Sequence, residues 1–210
     1  TVGKAIPGVE LKLAADGELL MRGPTVMKGY HNEPGKTAEA IDPAGWLHTG
    51  DIATIDDDGY VRIIDRKKDL IINAAGKNMS PANIEAAILP ASPLIAQVVA
   101  IGDRRPHVVA LIVLDPGTAA AFAVHHGATD TSAAALAAQP AIRAAIETAV
   151  NTGNSKLSRV EQIKRFTILP AFWEPGGEEI TPTMKLKRRP IAAKYAELID
   201  SMYAIAAQPA

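Results

Sequence analysis

The chain has 210 residues, 48% of them hydrophobic, enough to fill a core in one or two domains. Its formal net charge is -1, so no overall positive field draws it to nucleic acid, and no run of 18 apolar residues is present to span a membrane. There is no cysteine, which excludes disulfides and thiolate metal sites and fits the expectation of a cytoplasmic protein.

The start, Thr1-Val2-Gly3, carries no methionine and no leader pattern, and the chain is read as a piece of a longer protein. Residues 1–64 read as all-β. Apolar alternation over 9–13 and 18–21 flanks Asp16-Gly17, a hairpin signal. A second hairpin is expected from strands at 52–55 and 60–64 around Asp56-Asp57-Asp58-Gly59. A short helix is expected at 36–41. The segment as a whole is expected to form a small barrel or sandwich.

After Lys68 the pattern changes. Ser80-Pro81 is an N-cap and first-turn pair for a helix to about Leu89. Strands are expected at 97–101 and 108–114. Asp115-Pro116 caps a helix to about His126, which Gly127 stops. Helical pieces are expected at 132–138 and 141–150, a strand at 164–169 and one last helix at 190–202. Helices mixed with strands make the expected fold class α+β. The expected division is a small all-β part over 1–65, a hinge at 66–68 and an α+β part over 69–210.

Three motifs carry the chemistry: Gly45-Trp46-Leu47-His48-Thr49-Gly50-Asp51, then Asp65-Arg66-Lys67-Lys68-Asp69-Leu70-Ile71-Ile72 with Gly76 behind it, then Thr181-Pro182-Thr183-Met184-Lys185. A carboxylate such as Asp51, fixed in a turn, can accept from two vicinal hydroxyls, as on a ribose. Arg66 can bind ribose or phosphate oxygens through its planar fork, or simply pair with Asp65 or Asp69 at the surface. Lys67 and Asp69 are expected to be solvated. Gly76 and Lys77 lie in what reads as a flexible strand-to-helix connection. Lys185 opens a run with Lys187, Arg188 and Arg189, which by itself reads as a solvated basic stretch.

Other candidates fail. His125 and His126 are adjacent and point about 100° apart on a helix. Asp56 to Gly59 lacks the later glutamate of a calcium loop. No glycine-rich Lys-Ser/Thr phosphate loop is present. Arg104 and Arg105 could touch coenzyme A, but loop arginines are usually solvated.

In order and spacing these motifs resemble the C-terminal part of the adenylate-forming enzymes, most closely the long-chain fatty acid–CoA ligases. The resemblance runs from about Val2 to Tyr203. It implies that Asp51 holds the ribose of ATP, that Arg66 contacts the nucleotide and that Lys68 is the hinge. It implies that the Gly76-Lys77 loop serves the thioester step with coenzyme A, and that Lys185 is the catalytic and nucleotide-binding lysine, with Lys187 as the alternative register. Methionine replaces the commoner glycine at position 184, and Ile72 stands where some relatives carry a lysine. Residues 1–65 then become the barrel-like end of a large AMP-binding domain and 69–210 the mobile C-terminal domain. The remaining sites, including those for the fatty acid, most of ATP and Mg2+, would lie in the N-terminal region of the longer chain. The isolated segment is expected to be inactive, with no metal ligands of its own. Peripheral contact with a membrane is compatible with such a substrate. The alternatives are a fatty acyl-AMP ligase that loads a carrier protein, or a non-catalytic interaction module.

Overall fold

The computed structural model describes residues 1–204. The chain divides into two compact units, Thr1–Leu70 and Ile71–Ala210, of which 205–210 lie outside the described residues. The division falls just beyond the expected hinge residues.

The first unit is built on one antiparallel sheet. Strands β1 (Glu10–Leu13), β2 (Glu18–Arg22), β3 (Leu47–Ile55) and β4 (Val61–Arg66) follow one another in spatial order. Both expected hairpins form. The Asp16 carboxylate accepts from the Glu18 amide at 3.1 Å, and Gly17 supplies the left-handed backbone at φ +85°. Asp56 repeats the device, accepting from the Tyr60 amide at 2.8 Å, so the acidic triplet shapes a turn. Helix α1 (Pro34–Ala40) fills the connection between β2 and β3. The expected barrel or sandwich does not close. The four strands make an open meander, and only an isolated bridge from Gly3 to Val61 extends its β4 edge. Four short strands are too few to wrap onto themselves. The core is correspondingly small: Leu19, Ala53 and Val61, with Leu11 and Ile55 against them.

The second unit is α+β, as expected. A two-residue hairpin, β5 (Ile71–Ile72) with β6 (Asn78–Met79), leads into α2 (Pro81–Ile88). The Ser80 hydroxyl caps α2 by accepting from the Asn83 amide at 3.0 Å. Strands β7 (Ile95–Ile101) and β8 (Val108–Leu114) pair antiparallel, and β9 (Ile163–Ile168) joins β8 in parallel. A parallel neighbour needs a long crossover. Helices α3 (Pro116–His125), α4 (Ala133–Ala138) and α5 (Pro140–Asn154) supply it.

Every residue of β8 is buried, so both faces of this sheet are covered. Val108, Ala110, Ile112 and Leu114 pack with Ile84, Ile88, Ile142 and Ile146 on the α2–α5 side. Val109, Leu111 and Val113 pack with Leu169, Ile191, Ile199 and Met202 on the other. Gly153 lets α5 approach α2 closely: a Cβ there would stand 2.7 Å from the Ala87 carbonyl oxygen. The expected single last helix is two, α6 (Arg188–Lys194) and α7 (Ala196–Ala204). The break at Tyr195, whose hydroxyl accepts from the Trp173 indole at 3.2 Å, lets Ile191 and Ile199 reach the same cluster.

Candidate functional site

The nucleotide-reading residues expected in the first unit stand side by side. Glu18 pairs with Ile52 and Leu20 with His48, so Leu19 alone on β2 faces Thr49, Gly50 and Asp51 on β3. Two extra residues must bulge, and Gly50 takes φ +72° to allow it. Thr49 locks the bulge: its hydroxyl donates to the Leu19 carbonyl at 2.7 Å and accepts from the Asp51 amide at 3.2 Å. Asp51 is then directly opposite Arg66 on β4. The guanidinium Nε lies 3.0 Å from Oδ1 of Asp51. Of the surface partners anticipated for Arg66, Asp65 accepts from its backbone amide at 2.7 Å, while the guanidinium reaches Asp51. An acceptor-only carboxylate beside a five-donor guanidinium is chemistry suited to a ribose diol and a neighbouring phosphate.

Beneath this pair lies Glu18, which is only 4% exposed. Its Oε1 accepts from the Gly50 amide at 2.9 Å, and its Oε2 faces His48 Nδ1 at 3.1 Å and Lys67 Nζ at 2.9 Å. Burial pushes the Glu18 carboxyl up, but Lys67, His48 and the Gly50 amide outweigh it and hold the group below its usual range. The expectation that Lys67 is solvated is therefore corrected. Its ammonium also meets Asp16 at 2.6 Å, and these two carboxylates raise its pKa. Lys68 sits exposed in the single 3-10 turn Lys67–Asp69 that follows β4.

In the second unit, the Gly76 connection is more ordered than a flexible link. Asn73 closes the β5–β6 hairpin, its side-chain oxygen accepting from the amides of Ala75 at 3.0 Å and Lys77 at 2.9 Å. Gly76 holds φ +77°, and the space where a Cβ would stand is open. Lys77 is exposed. The hairpin is fastened to the β7–β8 loop, where the Arg104 amide donates to the Ile72 carbonyl at 2.8 Å and the Ala74 amide to the Arg105 carbonyl at 3.1 Å. Arg105 itself is ion-paired with Asp200 and lies over the Tyr203 ring, so it is a structural residue; Arg104 projects into solvent.

The basic run is not a uniform solvated face. Thr181 to Lys185 form a tight turn: the Met184 amide donates to the Thr181 carbonyl, and the Thr181 amide to the Lys185 carbonyl, both at 2.9 Å. Met184, at the position of the commoner glycine, takes φ +63°. Beyond the turn, Lys187 Nζ, the alternative register for the lysine, donates to the Gly177 carbonyl at 2.8 Å. Arg188 binds both oxygens of Glu85. Two anchored cations thus fix the register. Lys185 is exposed and has no ion-pair partner among the described residues. The structure brings Asp51 to Arg66 within the first unit; Gly76, Lys77 and Lys185 are ordered separately in the second.

Two residues escaped the sequence reading. Glu18 has no local signal of burial, since its partners lie 30 to 49 residues away. Glu85 likewise has its partner, Arg188, 103 residues away. No group of three or more His, Cys, Asp or Glu side chains placed to hold a metal ion is found among the described residues.

The family model described as the AMP-binding enzyme C-terminal domain matches residues 68–207. The chain is 61% identical over 209 residues to fadD11 of Mycobacterium tuberculosis, covering 100% of this chain and 36% of that protein. It is 42% identical over 204 residues to the long-chain-fatty-acid–CoA ligase FadD15 of the same species, covering 97% of this chain and 34% of the relative. The chain thus spans about a third of the length of these relatives. Among solved structures, it is similar to the adenylation domain of a carboxylate reductase from Mycobacterium chelonae, with TM-score 0.74 and 21% identity over 96% of this chain and 31% of that one. The adenylation domain of the carboxylic acid reductase of Segniliparus rugosus, solved with AMP and a co-purified carboxylic acid, gives 0.73 and 22% over 98% and 33%. These two likenesses concern the fold. With the family model covering well over half its length, this chain belongs to the AMP-binding enzymes, and its second unit carries their C-terminal domain.

Proposed function

We propose that this chain is the C-terminal part of a fatty acid–CoA ligase. The whole enzyme would join a fatty acid to ATP, giving acyl-adenylate and pyrophosphate, and then pass the acyl group to the thiol of coenzyme A, releasing AMP. The observation that carries the reading is Lys185. It is held in a fixed turn and has no ion-pair partner among the described residues, whereas Lys187 and Arg188 are anchored; Arg189, exposed as well, lies in α6 and not in the turn. The 42% identity to FadD15, named a long-chain-fatty-acid–CoA ligase, supports the substrate class.

In this reading Asp51 accepts from the ribose hydroxyls and Arg66 donates to the nucleotide. Lys185 offsets the repulsion between the attacking carboxylate and the α-phosphate, and stabilises charge that develops there. The Gly76 hairpin, open above its glycine, gives a thin backbone edge along which the pantetheine arm of coenzyme A could pass, with Lys77 toward its phosphates. Lys68 is the pivot. It lies in a short exposed turn with no anchoring side-chain partner among the described residues, directly after a lysine that is anchored. Magnesium would accompany ATP and be held outside the residues described here. No helix among the described residues is long and apolar enough to cross a membrane.

The test is product identity. The full-length ligase is incubated with ATP, magnesium, palmitate and coenzyme A, and its products are separated by mass. Acyl-CoA with equimolar AMP is expected. Acyl-adenylate that accumulates and transfers only to a carrier protein would replace this reading with the acyl-AMP ligase, and no adenylate at all would leave an interaction module.

A further inference from the structure

We propose that Glu18 is a positioning residue for nucleotide binding, holding Asp51 and Arg66 opposite one another by gripping the residue next to each. The inference rests on the proposed reading of Asp51 and Arg66 as nucleotide contacts. A carboxylate 4% exposed is costly to bury unless its oxygens are all engaged. Glu18 meets that condition in a particular way. One oxygen takes the amide of Gly50, the residue before Asp51. The other takes the ammonium of Lys67, the residue after Arg66. A single carboxylate on β2 therefore fixes both ends of the pair, one at a β3 bulge and the other at the end of β4.

The bulge makes this grip necessary. Thr49, Gly50 and Asp51 stand opposite Leu19 alone, so the Gly50 amide has no strand partner in the ladder and gives its hydrogen to Glu18. Without that acceptor, the turn that aims Asp51 loses one of its fixed points. At the other end, Lys67 Nζ is held from two sides, by Glu18 at 2.9 Å and Asp16 at 2.6 Å. The lysine is thus committed to the protein and not to a ligand. Its fixed position also sets a limit on motion: rotation that begins at Lys68 leaves Arg66 and Asp51 in place.

The test uses the adenylation half-reaction of the full-length ligase, followed as exchange of pyrophosphate into ATP. Glu18→Gln, Lys67→Met, Lys67→Arg and Asp51→Ala are compared for KM of ATP and for kcat separately. Misplacing a binding group by about 1 Å costs up to roughly a hundredfold. Glu18→Gln and Lys67→Met are therefore expected to raise the ATP KM at least about tenfold, with kcat much less affected and Lys67→Arg close to wild type. Lys67 is 47% exposed, so its methionine variant serves if Glu18→Gln does not fold. If Asp51→Ala raises KM while both Lys67→Met and Glu18→Gln keep the wild-type value, the positioning role is wrong and the nucleotide reading stands. A fall in kcat alone in those two variants overturns the role as well. Should Asp51→Ala itself leave the ATP KM unchanged, the nucleotide reading fails and this inference goes with it.

Discussion

Arg188 holds Glu85 with both terminal nitrogens, Nη1 at 2.6 Å from Oε1 and Nη2 at 2.7 Å from Oε2. The pair joins the start of α6 to α2, three residues beyond Lys185. Glu85 Oε1 also accepts from the Ala100 amide at 2.9 Å, so the same carboxylate ties the edge strand β7 to both helices. The side chains are 23% and 13% exposed, between a surface pair and a fully buried one. Breaking a buried pair costs about 3–5 kcal/mol and an exposed one under about 1. Glu85→Ala is therefore expected to lower stability by about 2–3 kcal/mol in urea denaturation of the 210-residue chain. Glu85→Gln, which keeps an acceptor for Ala100, is expected to lose less. Equal losses would mean that the amide contact contributes nothing.

Met184 is the strained residue of the Thr181–Lys185 turn. An L-residue in the left-handed region costs roughly 1–2 kcal/mol, and a glycine avoids that at roughly 0.4–1 kcal/mol of extra chain entropy. Met184→Gly is expected to stabilise the chain by up to about 1 kcal/mol, whereas Met184→Val, β-branched at φ +63°, should destabilise it. Thermal melts of the three forms decide the sign.

The Glu18 network predicts a pH dependence. Its carboxyl lies below the usual 4.5 in the fold, against the effect of burial, because Lys67, His48 and the Gly50 amide favour the ionised form. A depressed acid contributes stability that is complete above the unfolded value near 4.5 and disappears as pH falls through the lower folded value. Glu18→Gln should thus be less stable than wild type at neutral pH. The difference should shrink as pH is taken down from about 5. A gap that widens on acidification would have the wrong sign for this assignment.

What the sequence made legible was mostly local. Ser80 and Asp115 announced their helices because a cap is a contact between near neighbours, and each accepts from the amide three residues on. Asp16-Gly17 and Asp56 to Gly59 announced hairpins for the same reason. The all-apolar run of β8 reads as a strand, and its burial on both faces, found in the structure, fits that pattern. Long-range pairings were not legible. Nothing near Arg66 says that it faces Asp51 and not Asp65 or Asp69; that depends on the β3–β4 register. Lys67 looked like any charge in a charged stretch until β2 brought Glu18 beneath it. The break in the last helix is hidden because the apolar spacing runs on through Tyr195, where the backbone leaves the helical region at φ -107° and ψ 21°. The basic run points to Lys185 only through the resemblance. What sets Lys185 apart from Lys187 and Arg188, the anchoring of those two, is a tertiary fact.

The central claim, that Lys185 serves phosphoryl chemistry rather than structure, is tested most directly by separating the two half-reactions in Lys185→Ala of the full-length ligase. Pyrophosphate release from ATP and fatty acid is measured first, then acyl-CoA formation from supplied acyl-adenylate. Losing one group that stabilises developing charge typically costs about 10²–10³ in rate. Adenylation is expected to fall by about that factor while thioester formation stays near wild type, because an exposed lysine held only through its backbone can be truncated without disturbing the turn. Equal loss in both half-reactions, or no loss in either, would contradict the account.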